Sequence, residues 1–215
     1  MCKVFRVFFI FLFCLFLYGL AGAQDVRVAW VPDGDTVILD NREVVRLKGI
    51  DAPETGFDGG QDQYFAREAT QRLEDLVMGR TITMRTGQEP RDRFGRTLAY
   101  LYLPDGQNIN LLLIRDGYAF YYPHEQQDEE ISSRLLRAQR QAMEQNLGFW
   151  PEIFTLDELD LNFVGNRRSQ RFHVATCGYG QRISPQNRIE FSSIYDAFYA
   201  GHAPCRRCSP WPDAR

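Results

Sequence analysis

The chain has 215 residues, of which 44% are hydrophobic and 25% charged, with a formal net charge of −3. This is ordinary globular composition, able to form a real core, and the length allows one or two domains. The negative balance excludes the chain-wide cationic surface on which nonspecific duplex binding depends.

Residues 1–23 stand apart from that core. Lys3 and Arg6 form a basic start, Val7 to Leu20 is an apolar run, and Ala21-Gly22-Ala23 offers a small-x-small cleavage site. The pattern reads as a signal peptide of an exported protein, periplasmic or secreted. The other reading is an uncleaved anchor, the one case that would make a membrane a partner; the run is short for a span of about 20 residues. Cys14 has no small residues before it, so no lipoprotein site is read there. Cleavage would take Lys3 and Arg6 away and bring the net charge to −5.

From Gln24 the sequence is β-rich. Val26, Val28 and Trp30 alternate with polar residues, Pro32-Asp33-Gly34 turns the chain, and Thr36 to Leu39 is a second strand. After Asp40-Asn41, Glu43 to Leu47 is a third strand. A Gly-rich loop from Thr55 to Gly60 precedes a helical pattern with Phe65, Ala69, Leu73, Leu76 and Val77 on one face and Gly79 at its end. Thr81 to Thr86 and Thr97 to Leu103 read as strands, Ile109 to Arg115 as a short helix, and Glu129 to Asn146 as a longer one. Five strands with a helix inserted after the third predict an α+β fold, a five-stranded OB-type β-barrel with packed helices. The predicted organisation is a leader at 1–23, this domain at 24–150, a connector at 151–161 and a small basic Cys/His module at 162–215.

Three segments carry chemistry: Asp33-Gly34-Asp35-Thr36, Arg46 through Glu54, and Asp92-Arg93-Phe94-Gly95-Arg96. Carboxylates are the natural ligands of a hard cation such as calcium. A carboxylate beside an activated water can take its proton, and arginine's planar fork matches phosphate oxygens. If the second and third strands pair, Asp35 at the entry of one lies near Asp51 at the exit of the other. Both acids can then converge on one ion, with the Ala52 carbonyl as a further ligand. Each segment alone also has a bland reading, as a hairpin turn, a helix N-terminus or a surface ion pair.

These segments, followed by Thr97-Leu98-Ala99-Tyr100 and Leu113 through Ala119, resemble the staphylococcal nuclease-like (thermonuclease) domain in order, spacing and setting over about 120 residues, from Val28 to Trp150. The resemblance implies calcium-dependent cleavage of DNA and/or RNA with little sequence preference, leaving 3′-phosphorylated products. It implies calcium held by Asp35, Asp51 and the Ala52 carbonyl, Glu54 as general base, and Arg46 and Arg96 on the phosphate. Ala52 stands where threonine is best known, and Phe94 where tyrosine is frequent. Tyr118, Tyr121 and Tyr122 are read either as base-stacking residues or as core and rim aromatics. The other reading of the domain is a nucleic-acid-binding OB module without catalysis.

The tail differs in charge. Residues 163–215 hold 8 basic and 3 acidic residues, whereas residues 24–150 hold 15 basic and 21 acidic. The tail therefore has a second expected job, holding nucleic acid near an acidic domain. His173-x3-Cys177 and Cys205-x2-Cys208, separated by 27 residues, have the spacing of a tetrahedral zinc site. The odd cysteine count left after Cys2 and Cys14 fits a Cys3His set better than disulfides, although Cys205–Cys208, or Cys177 with either, remains a possible pair. The stretch from Arg168 to Cys208 also resembles Ada-type metal-binding modules, with His173 where that family has a cysteine. His124 and His202 are read as surface residues.

Overall fold

The structure, a computed structural model, describes residues 22–56, 60–124, 127–156, 162–208 and 210–211, without the side chains at 88 and 89. Of the leader read over 1–23, all but Gly22 and Ala23 lies outside the described residues. Among the described residues no helix is long and apolar enough to cross a membrane.

Strands β1 (Ala23–Asp33), β2 (Thr36–Leu39) and β3 (Val44–Leu47) form an antiparallel meander, followed by the short β4 (Ile50–Asp51) and helix α1 (Ala66–Val77). Then come β5 (Thr81–Arg91) and β6 (Thr97–Tyr102). These strands close into a barrel in the order β1-β2-β3-β6-β5. Closure uses a parallel pairing of β3 with β6 and an antiparallel pairing of β1 with β5, so the five-stranded barrel predicted from the meander is the observed one. Val37, Val45, Leu47, Ile82 and Leu101 fill it, and Leu73 and Val77 of α1 close one side. The alternation of β1 breaks at Trp30, which is 50% exposed while Val31 is buried. The register with β2 shifts between Val28 and Trp30, and such a bulge moves the following side chains to the other face.

Helix α2 (Ile109–Arg115) is capped by Asn108, whose side chain accepts from the Leu111 N–H, and α3 (Glu129–Glu144) by Asp128, which accepts from Ile131. Between them β7 (Phe120–Tyr121) pairs antiparallel with β4. Helix α4 (Trp150–Phe154) follows. Gly117 and Gly148, both at positive φ, meet so closely that a Cβ on Gly148 would lie 2.0 Å from the Gly117 carbonyl oxygen. This approach, with the Phe149 N–H donating to Gly117, delivers Phe149 and Trp150 inward.

The C-terminal part is a sheet of β8 (Phe163–Asn166), β9 (Arg171–Val174), β10 (Arg188–Phe191) and β11 (Ala203–Pro204) in the order β10-β8-β9-β11. Helices α5 (Gly178–Gln181) and α6 (Ile194–Tyr199) flank it. Among the described residues this part shows no separate apolar cluster. Phe163, Phe172, Ile194 and Phe198 share one apolar cluster with Phe120, Met143, Phe149, Trp150 and Ile153. Buried Gln139 of α3 rivets the two parts: its Oε1 accepts from the Tyr121 N–H at 2.6 Å and its Nε2 donates to the Phe198 carbonyl at 2.7 Å.

Candidate active site and metal centre

The turn between β1 and β2 is tied by its own aspartates. The Asp35 N–H donates to Asp33 Oδ1 at 3.1 Å, and the Thr36 hydroxyl donates to Asp35 Oδ1 at 3.1 Å. Asp35 Oδ2 accepts from the Ala52 N–H at 2.7 Å. Gly34 permits this approach, because a Cβ there would lie 2.8 Å from that of Ala52 and 2.6 Å from that of Ala69. The pairing of β2 with β3 sets Thr36 opposite Arg46, so the Arg46 guanidinium falls between Asp35 and Asp51 and ion-pairs with both. Asp35 and Asp51 thus meet at the Arg46 guanidinium.

Glu54 follows on the exposed side of the same loop. Gln63 holds its backbone from two directions, its side chain accepting from the Glu54 N–H at 2.8 Å and its N–H donating to the Glu54 carbonyl at 3.0 Å. Arg96 is aimed by Asp92. One Asp92 oxygen accepts from the Phe94 and Arg96 N–H groups at 2.9 and 3.0 Å, and the other accepts from Arg96 Nε at 2.8 Å. Arg46, Asp51, Ala52, Glu54 and Arg96 all line one cleft of about 470 Å³. Asp35 lies behind it, 1% exposed.

Charge at this place is unbalanced. Burial lifts the carboxyls of Asp33 and Asp51 above their ordinary range, and the cleft walls around Glu54, whose side chain still reaches solvent, desolvate its carboxyl enough to lift it too. For Glu54 the charges of Asp33 and Asp51 lift it further, while Arg46 and Arg96 oppose. Asp33 read from the sequence as a turn residue, yet it is buried within this acidic group. Gln63 carried no signal at all, since a glutamine in a loop matches no motif. Of the three tyrosines, Tyr121 is buried in the barrel cluster and half-buried Tyr118 packs on Phe65 at 5.3 Å. Tyr122 alone reaches the cleft.

A family model described as staphylococcal nuclease homologue matches residues 44–152. The chain belongs to the staphylococcal nuclease family. It is 38% identical over 129 residues to an uncharacterized endonuclease of Escherichia coli O157:H7, covering 59% of this chain and 76% of that protein. It is 33% identical over 139 residues to the thermonuclease of Staphylococcus intermedius, covering 60% and 80%. To endonuclease YhcR of Bacillus subtilis (strain 168) it is 29% identical over 205 residues, covering 84% of this chain and 17% of that one.

The nuclease-family match ends before the Cys/His residues. In the structure His173, Cys177, Cys205 and Cys208 bring one ligand atom each to within 4.8 Å of the others, and Cys177 Sγ lies 3.6 Å from His173 Nδ1. Among the described residues the three cysteines are free thiols, so the alternative disulfides are not formed. Burial keeps the His173 imidazole neutral by lowering its pKa. Burial opposes ionisation of Cys177, but the Gly180 and Tyr179 N–H groups and the neighbouring thiols outweigh it and lower its pKa. Burial pushes the Cys208 thiol up to about 12, with Cys177 and Cys205 adding to the rise. A neutral imidazole and three clustered sulfurs suit a tetrahedral soft-ligand site. His124 is exposed, as read from the sequence. His202 is not: it is 7% exposed and packs edge-on to Phe191 at 4.9 Å, because the turn after α6 folds it under the sheet.

Proposed function

We propose that this member of the nuclease family is a calcium-dependent endonuclease cleaving DNA and/or RNA with little sequence preference. The observation that carries the reading is one cleft lined by Glu54, Arg46, Arg96 and Asp51, with a buried acidic turn behind it. The donor set fits the ion. Asp33, Asp35, Asp51 and Glu54 outnumber Arg46, Arg96 and Arg206, and all offer hard oxygen in a partly desolvated place. Asp35 and Asp51 would hold calcium, with the Ala52 carbonyl. When bound, calcium supplies positive charge at the phosphate and at the attacking water.

The chain's own groups do the rest. Glu54 takes the proton of the attacking water, and its raised pKa brings it closer to a useful base. Arg96, aimed by Asp92, and Arg46 place fixed positive charge where phosphate oxygens gain it. A binding-only module needs no such base pinned in the cleft. The leader read over residues 1–23 makes this an exported enzyme under the proposal.

Cleavage of single-stranded DNA, duplex DNA and RNA with calcium, with chelator and with calcium restored tests the reading. Cutting in calcium, loss of nearly all of it in chelator and recovery on restoration are expected. Undiminished cutting in chelator would refute the metal dependence, and no cutting of any of the three would refute the nuclease.

His173, Cys177, Cys205 and Cys208 are the proposed ligands of a structural zinc. One zinc per chain is expected on metal analysis of the reduced, folded protein, with Cys208→Ser losing most of it. A wild-type sample holding no more than a trace of zinc contradicts the assignment.

A further inference from the structure

A second cavity, of about 560 Å³, opens beside the catalytic cleft and shares Tyr122, Pro204, Cys205 and Arg206 with it. Arg171, Arg182, Arg207 and Tyr179 of the C-terminal part form much of its remaining wall. With Arg206 that makes four guanidinium groups and, among the lining residues, no carboxylate. The catalytic cleft mixes both signs, whereas this one is cationic throughout. Such a wall attracts phosphate, and arginine forks hold it bidentately.

The aromatic groups are placed to match. Tyr179 is 45% exposed, with the Arg182 guanidinium 4.9 Å and the Arg207 guanidinium 5.0 Å from its ring centre. An exposed ring with arginines beside it can stack an unpaired base once a guanidinium swings from the ring to a phosphate, so that the ring and the cations hold base and backbone together. At the seam between the cavities Arg171 lies over Tyr122 at 3.8 Å and donates to the Pro123 carbonyl at 3.0 Å, so the path from one cavity to the other has a fixed wall. The Cys/His cluster sets the positions of the outer residues. Tyr179 lies two residues beyond Cys177, and Arg206 and Arg207 fill the interval between Cys205 and Cys208. The field of this part also reaches the catalytic acids, since Arg206 and Arg171 are among the charges that oppose the rise of the Asp51 carboxyl.

We propose that the second cavity is an accessory subsite for the flanking nucleotides of a single-stranded nucleic acid, with Tyr179 stacking a base and Arg182, Arg206 and Arg207 holding phosphates. The inference rests on the nuclease reading and extends it: the acidic barrel cuts, and the basic part grips the strand beside the cut.

The test is direct binding, kept separate from cleavage. A fluorescein-labelled 12-residue oligothymidylate is titrated by anisotropy, in calcium, with the full-length zinc-loaded Glu54→Gln chain and with the same chain carrying Tyr179→Ala and Arg182→Ala. Loss of one stacked base is expected to raise Kd by about 5- to 150-fold. Loss of one phosphate contact lowers the salt slope by about 0.7. A dinucleotide, which brings at most one nucleotide beyond the cut, is expected to lose less affinity than the 12-mer. A second chain carrying Arg207→Gln, whose side chain is exposed, repeats the test should the double variant melt earlier. A Kd for the 12-mer within twofold of its parent in both chains, or an equal loss for dinucleotide and 12-mer, overturns the subsite. Failure of the wild-type chain to cut the same 12-mer counts against the nuclease reading, and the binding result judges the subsite on its own.

Discussion

Glu54→Gln is expected to lower calcium-stimulated cleavage by about 10²–10⁴-fold, the range contributed by a positioned general base. The amide keeps the size of the carboxylate but cannot take a proton. The loop should survive the change. Gln63 holds the Glu54 backbone through its own side chain and N–H, and neither bond uses the Glu54 carboxylate. The Glu54 side chain lies on the exposed side of the cleft, so no packing is lost. Loss of rate with an unshifted thermal melt is therefore the expected pair of results. A rate near wild type would remove Glu54 as the base.

Phe198→Ala is expected to destabilise the whole chain by about 3–5 kcal/mol, as large-to-small changes at buried aromatic residues do. Phe198 is fully buried and touches Phe120 at 5.4 Å, Trp150 at 5.0 Å and Phe172 at 5.1 Å between ring centres. Phe120 and Trp150 belong to the nuclease part and Phe172 to the C-terminal part, so the cavity opens between them. The Phe198 carbonyl also takes the Gln139 bond that, through Tyr121, anchors β7 beside β4 and Asp51. Urea unfolding followed by tryptophan fluorescence and by far-UV circular dichroism checks this. Both signals should shift together to lower urea. A loss below about 1 kcal/mol, or a barrel transition left in place, contradicts a shared core.

The acid and arginine segments were legible because each is local. Asp33 to Thr36, Arg46 to Glu54 and Asp92 to Arg96 are each short runs of sequence, and pairing β2 with β3 and β3 with β6 brings the three runs together. Asp33 and Gln63 were not legible in their roles: one looks like any Asp-Gly turn, and the other acts only through a backbone met nine residues away. The alternation of β1 misplaced Trp30 because a bulge leaves no mark on hydrophobic periodicity. The C-terminal part was visible as a change of charge and as cysteine spacing. Its docking was not, since nothing in the sequence around Phe120, Phe149 and Trp150 marks these residues as partners of a second part. The sharing of Arg206 and Cys205 between the Glu54 cleft and the basic cavity follows from that docking and has no signature in either segment alone. His202 was misread for the same reason, because burial under a sheet depends on contacts distant in sequence.

The most direct measurement is a calcium titration of single-turnover cleavage of labelled single-stranded DNA by wild type and Glu54→Gln, with calcium binding followed in parallel by calorimetry. The account predicts a wild-type rate that rises with calcium and saturates, and a variant that binds calcium but stays near the chelator baseline. A wild-type rate indifferent to calcium, or a variant that follows the wild-type curve, would contradict it.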